Sequence, residues 1–203
     1  MSTDSAIVYV VDDDAAVRDS LKMLLDSVGL QSLTYASATE FLERYRPTRA
    51  GCLVADVRML GMSGLELQEE LNRRKSTLPV VFITGHGDVP MAVDAMKAGA
   101  LDFIQKPFRD QELLDRIHDA LEREEELRAD NRAIAEIRER KGRLTTRETE
   151  VMGRVAKGQA NKVIALDLGV SQRTIEIHRA RVMEKMGARS LAALVRMVAK
   201  LDE

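Results

Sequence analysis

A set of polar side chains in the first half of the sequence stands where apolar runs stop. Asp12, Asp13 and Asp14 follow "IVYVV", Asp56 closes "GCLVAD", Thr84 closes "VVFIT", and Lys106 follows "DFIQ". Three adjacent carboxylates repel one another and are costly to keep ionised without a cation nearby. A helix N-cap accounts for one of them; the other two need a further reason. Carboxylates gathered with a hydroxyl and an ammonium make a hard-oxygen site suited to Mg²⁺, which keeps several waters and takes few protein ligands. Such an ion can bridge a carboxylate and a phosphoryl oxygen, while lysine and hydroxyl cover the remaining anionic oxygens. Independent caps at strand ends would explain each residue singly, but not all four positions together.

The elements that must position these groups are legible in the spacing. Strand-like apolar runs occur at Ala6–Val11, Cys52–Ala55 and Pro79–Thr84, with weaker ones at Gln31–Tyr35 and Leu101–Gln105. Helix-period segments alternate with them at Ala15–Val28, Ala38–Arg44, Gly64–Arg74, Pro90–Ala98 and Asp110–Leu121. Nearly continuous apolar strands separated by amphipathic helices predict a parallel sheet covered on both faces. Five of each predict an α/β, flavodoxin-like doubly wound (βα)5 domain, whose ligands bind outside the carboxyl ends of the strands. The polar residues above converge there.

The remainder has a different character. "DALEREEELRADNRAIAEIRER" (119–140) reads as a helix whose possible seam, Leu113, Ala120, Leu127 and Ile134, is interrupted by the polar companions Glu124 and Asn131. A solvated helical linker is the expectation. After "KGR" no strand-like run follows. Thr145 and Glu148 form a capping box opening a helix that ends near Gly158. Two further helices meet at the tight turn Gly169-Val170-Ser171, with Ser171 as the N-cap of the second, and Ser190 caps a last helix with Leu191, Leu194, Val195 and Val198 on one face. This is a helix-turn-helix pattern. Charge divides the same way: residues 1–140 hold 18 Lys+Arg against 26 Asp+Glu, residues 141–203 hold 13 against 7. An anionic partner is therefore expected for the C-terminal part alone.

Composition narrows the setting. The 203 residues suffice for two small domains, and the single Cys52 excludes an intrachain disulfide framework. No apolar run approaches membrane-spanning length, and "MSTDS" lacks the pattern of a secretory signal, so a cytoplasmic protein with no membrane partner is expected. His86 and His118 have no companions at metal-ligand spacing, so zinc is not expected.

On these residues, 6–121 resemble a receiver domain of two-component response regulators. The matched residues are Asp12 and Asp13, Asp56, Thr84, and the Lys106-Pro107 of "FIQKPF". The resemblance implies that Asp56 is the phosphoacceptor, that Asp12, Asp13 and Asp56 hold Mg²⁺, and that the backbone carbonyl of Arg58 completes the metal site. It further implies that Lys106 pairs with the phosphoryl group, that Thr84 moves toward it, that Phe103 is the switch aromatic, and that Lys106-Pro107 is cis. One position departs: "DVRMLGMSG" has Leu60 where such receivers usually carry proline. Losing that fixed φ should loosen the loop and affect the rate of phosphorylation.

Residues 144–200 resemble the all-α, four-helix LuxR-type DNA-binding domain, through "LTTRETEV", "GQANKVIALDLGVSQRTIEIHRARVMEKMGARS" and "LVRM". Together the two resemblances match the FixJ/NarL subfamily, and "SQRTIEIHRARVMEKM" is most similar to FixJ-type regulators. The implied layout is a receiver over 1–121, a helical linker over 122–143 and a DNA-binding domain over 144–203. The implied function is a transcription factor phosphorylated by a sensor histidine kinase. Phosphorylation would promote a homodimer, through the Pro90–Ala98 and Leu101–Lys106 face, that binds double-stranded promoter DNA and meets RNA polymerase. It would not be an enzyme, beyond assisting its own phosphoryl transfer and dephosphorylation.

Within Gln172–Met186, Ile175, Val182 and Met186 form an inward stripe, while Arg173, Glu176, Ile177, Ala180, Arg181 and Glu184 lie opposite. A mixed face of this kind suits base edges and phosphates together. By resemblance Glu176, Ile177 and Ala180 face the groove, with Lys162, Thr174, His178 and Arg181 near phosphates. His178 read alone is a helix-packing residue. A rival enzyme reading, a phosphohydrolase with an aspartyl-phosphate intermediate, fits the same carboxylate chemistry. Haloacid-dehalogenase-like enzymes, however, place two aspartates two apart after the first strand. A flavin or nucleotide module would need a Gly-rich loop after the first strand, where Asp12–Asp14 would instead repel phosphate.

Overall fold

The computed structural model describes residues 6–85 and 89–202, and His86 lies outside them. Two compact units divide the chain, Met1–Arg128 and Ala129–Glu203.

The first unit contains β1 (Ile7–Val11), α1 (Ala15–Ser27), β2 (Gln31–Tyr35), α2 (Ala38–Arg44), β3 (Gly51–Asp56), α3 (Gly64–Arg73), β4 (Val80–Thr84), α4 (Val89–Lys97) and β5 (Asp102–Gln105). The strands form one parallel sheet in the order β2-β1-β3-β4-β5. Successive side chains on a strand point to opposite faces, and both faces here are apolar. Val8, Val10, Cys52, Val54, Val81, Ile83 and Ile104 pack with Leu21 and Leu25 of α1. Tyr9, Val11, Leu53, Ala55 and Phe82 pack with Phe41 of α2, Leu67 and Leu71 of α3, and Ala95 of α4. Cys52 is fully buried, and burial pushes its thiol far up, so it is a core residue rather than a nucleophile.

The helix α5 (Asp110–Gly142) continues without interruption through the expected helical linker and ends within the "KGR" read as its break. Its first turns bury Leu113, Leu114, Ile117 and Ala120 in the first unit. Glu124, read from the sequence as a break in a seam, is buried and holds Arg128, whose guanidinium donates to the Pro47 and Arg49 carbonyls.

The second unit packs Ile137 of that helix with α6 (Thr146–Ala156), α7 (Asn161–Leu168), α8 (Gln172–Met186) and α9 (Leu191–Asp202). The Thr145–Glu148 capping box is present, as is Ser171 capping α8 through the Thr174 N–H. Gly169 adopts φ 65° between α7 and α8, a left-handed conformation that a β-carbon disfavours. The apolar face read for α9 turns inward only in part. Leu194 is buried and Val198 packs beside it, but Leu191 and Val195 are exposed, because Ala193, Met197 and Leu201 complete the packed stripe instead.

Candidate functional site

Register builds the site. Val11 pairs with Ala55, so Asp12 and Asp56 leave the sheet side by side at the carboxyl ends of β1 and β3. Thr84 pairs with Gln105, which brings Lys106 to the same edge from β5. The sheet order changes direction between β1 and its neighbours, and crevices open at such a switch point.

Lys106 ties the two aspartates together. Its Nζ is 2.9 Å from Asp12 Oδ2 and 3.2 Å from Asp56 Oδ1. Each carboxylate is also held by a backbone amide: Asp14 N–H donates to Asp12 Oδ1 at 2.9 Å, and Arg58 N–H to Asp56 Oδ2 at 2.8 Å. Burial pushes the Asp56 carboxyl above the usual carboxylate range, although Lys106 and the Arg58 amide pull the other way. Burial alone would depress Lys106, but Asp12 and Asp56 outweigh it and hold its ammonium above the usual lysine range. The site is thus a desolvated carboxylate facing a firmly charged cation.

The three consecutive aspartates have three different roles. Asp14 is the N-cap of α1, accepting from Ala16 N–H at 2.8 Å. Asp12 is buried with Lys106. Asp13 is exposed and accepts from the backbone N–H of Leu60 at 3.0 Å. Thr84 is buried at the end of β4, and Phe103 packs partly buried against the cluster under α2, α3 and α4. Lys106-Pro107 is cis. Close to Asp56 the chain tolerates no β-carbon at Gly64: one would lie 2.3 Å from the Asp56 carbonyl oxygen.

Hard carboxylate oxygens at Asp12, Asp13 and Asp56 fit Mg²⁺ in donor chemistry. In the conformation described, however, no three acidic, His or Cys side chains among the described residues are grouped closely enough to hold a metal.

The second unit presents α8 as its exposed mixed face. Ile175, Val182 and Met186 are fully buried, as their spacing predicts, while Ile177, Ala180, Arg173 and Arg181 are exposed and Thr174 is half-buried. Lys162 is exposed on α7. Glu176 is engaged within its own helix, 3.6 Å from an Arg173 nitrogen and 3.3 Å from Gln172 Nε2. Arg179 instead reaches Asn161 at 3.1 Å. His178 is half-buried, and its Nδ1 is buried with no hydrogen-bond partner.

Comparison with known proteins assigns both units. Residues 8–118 match the response regulator receiver domain, and residues 142–198 match the bacterial regulatory proteins of the luxR family. The chain is a two-component response regulator with a LuxR-type DNA-binding domain. It is 50% identical to Nodulation protein W of Bradyrhizobium diazoefficiens, over 95% of this chain and 85% of that protein. It is 49% identical to the transcriptional regulatory protein FixJ of Azorhizobium caulinodans, over 96% and 92% of the two chains. The response regulator StyR superposes with a TM-score of 0.87 at 46% identity, covering 97% of this chain and 99% of that one. Full-length FixJ from B. japonicum gives 0.60 at 43% identity, covering 99% and 98%.

In this response regulator the sequence pointed to the residues at the strand ends but missed two partners. The Leu60 amide on Asp13 has no side-chain signature at all. The Glu124–Arg128 pair carried one, an acid followed four residues later by a base, but apolar periodicity does not weigh it.

Proposed function

We propose that Asp56 is the phosphoacceptor and that the chain is switched by its phosphorylation. The observation that supports this best is the Lys106 ammonium bridging Asp12 and Asp56 beside the Arg58 amide. A carboxylate oxygen of Asp56 attacks the phosphorus of a phosphohistidine on a sensor kinase. The P–O bond forms as the P–N bond breaks, and the imidazole leaves. Lys106 follows the charge onto the phosphoryl oxygens, and the Thr84 hydroxyl moves toward them, letting Phe103 turn inward. Receiver domains generally depend on Mg²⁺. Here Asp12, Asp13, Asp56 and the Arg58 carbonyl would hold it, and it would neutralise charge on the transferring group.

The functional layout is a receiver over 1–121, a helical linker over 122–143 and a DNA-binding domain over 144–203. Exposed Val89, Val93 and Met96 on α4 offer an apolar stripe for a phosphorylation-dependent two-fold dimer, with β5 alongside. In that dimer Glu176, Ile177 and Ala180 meet base edges, while Lys162, Arg173, Thr174, His178 and Arg181 lie near phosphates of promoter DNA, close to RNA polymerase. Among the described residues no helix is long and apolar enough to cross a membrane, and we place the protein in the cytoplasm. Its chemistry is confined to its own phosphorylation and dephosphorylation. Incubation with acetyl phosphate should label wild type and not Asp56→Asn, and should shift wild type to a dimer in sedimentation. Labelling of the mutant at another carboxylate would overturn the assignment.

A further inference from the structure

The loop after β3 holds two acidic side chains with amides two residues apart. Arg58 N–H donates to Asp56 Oδ2 at 2.8 Å, and Leu60 N–H donates to Asp13 Oδ2 at 3.0 Å. The first contact joins near neighbours. The second spans 47 residues and is made to the exposed member of the acidic trio. The Leu60 side chain is not the reason for it, since that side chain is 84% exposed. What residue 60 brings to the site is its backbone N–H.

With Asp13 turned to that amide, Asp12 and Asp56 are spanned by Lys106, and no three acidic side chains among the described residues are placed to share a cation. A carboxylate oxygen aimed at an amide hydrogen has part of its charge satisfied and its orientation fixed. Because the three carboxylates are not grouped as they stand, Asp13 must move to join Asp12 and Asp56 around a metal. Its Oδ2 leaves the amide in that movement unless the loop after β3 moves with it. Hydrogen bonds to charged groups are among the stronger ones, so this exchange weakens the metal site.

We propose that the Leu60 N–H is a positioning group that holds Asp13 out of the Mg²⁺ site, so that metal binding requires its release and is weaker than the three carboxylates alone would give. The proposal rests on the reading of Asp12, Asp13 and Asp56 as the Mg²⁺ site. It applies to this chain because residue 60 is one that keeps an N–H; a proline there has none.

Two substitutions separate the amide from the side chain. Leu60→Ala removes the apolar side chain and keeps the donor, whereas Leu60→Pro removes the donor. Calorimetric titration of the full-length chain with MgCl₂ should show Leu60→Ala binding like wild type and Leu60→Pro binding about tenfold tighter, the lower end of what a hydrogen bond to a charge contributes. Equal affinities, or weaker binding by the proline variant, would overturn the proposal. Because proline also restricts Met59, a buried residue, a second measurement needs no variant. In ¹⁵N-labelled wild type, the Leu60 amide should be protected from solvent exchange without Mg²⁺ and lose that protection at saturation. Protection that persists with Mg²⁺ bound would overturn the proposal too. Absence of saturable Mg²⁺ binding in wild type and both variants would overturn it together with the metal-site reading, whereas saturable binding with no Pro–Ala difference removes the latch alone.

Discussion

Lys106 Nζ lies 3.2 Å from Asp56 Oδ1, yet burial still outweighs this contact and keeps the Asp56 carboxyl above the usual range. A carboxylate whose folded pKa is raised costs stability wherever it is ionised. That cost is present above the folded pKa and is gone once pH falls below the ordinary carboxylate range. Asp56→Asn removes the charge and leaves Lys106 its 2.9 Å partner Asp12. Thermal unfolding should therefore show the variant melting above wild type at pH 8, with the gap closing toward pH 4. A variant that melts at or below wild type at pH 8 would show that the ion pair, not burial, dominates.

The Arg128 guanidinium makes the converse case. It donates to Glu124 Oε1 at 2.7 Å and to the carbonyls of Pro47 and Arg49 at 3.0 and 2.7 Å. The Glu124 side chain is 1% exposed, so Arg128→Ala leaves a buried charge without its partner. A loss of about 3 kcal/mol is expected in urea denaturation. Replacing both members by methionine should recover most of it, since the desolvated charge goes as well. If the double variant is as unstable as the single one, the carbonyl contacts rather than the buried charge carry the effect.

These two contacts also mark where sequence reasoning reached and where it stopped. Strand ends at Asp12, Asp56 and Thr84 were legible because apolar runs stop abruptly, and caps at Ser171 and Thr145 because short polar side chains precede helices at fixed offsets. The helical linker that carries α5 to Gly142 was legible as well, but the Glu124–Arg128 pair within it was not, because apolar periodicity does not weigh a charged pair. Nor was the Asp13–Leu60 contact, since a backbone amide looks the same under every residue but proline.

Glu148 should give the C-terminal unit a distinct acid response. Lys185 at 2.6 Å, aided by the Thr145 amide at 2.8 Å, holds its carboxyl down from 4.5 to about 2. A depressed carboxylate contributes stability that is full above its unfolded pKa and is lost as pH falls through the folded one. Glu148→Gln keeps an acceptor for Thr145 but loses the charge facing Lys185. The variant should be less stable than wild type at pH 7, with the difference shrinking from pH 4.5 downward. A difference that stays constant from pH 7 to 3 would mean that packing, not charge, is what Glu148 supplies.

The most informative variant for DNA recognition is at Glu176. Phosphates repel a carboxylate, so on a DNA-facing helix its useful role is to accept from a cytosine N4 amino group in the major groove. In the free protein it is 3.6 Å from an Arg173 nitrogen and 3.3 Å from Gln172 Nε2, contacts worth a few tenths of a kcal/mol in a helix. Such weak, exposed partners can be exchanged on binding, which would leave Arg173 to turn toward a phosphate. If Glu176 reads a base, Glu176→Ala should cost roughly 1–3 kcal/mol on the cognate site and relax the preference at one base pair. If it serves only its own helix, the variant loses a repulsion and binds all DNA slightly better. Affinities for the cognate site and its single-base variants, measured at one salt concentration because counterion release shifts every value with salt, separate the two. The base-reading outcome is expected, and an unchanged ranking of those variants would exclude it.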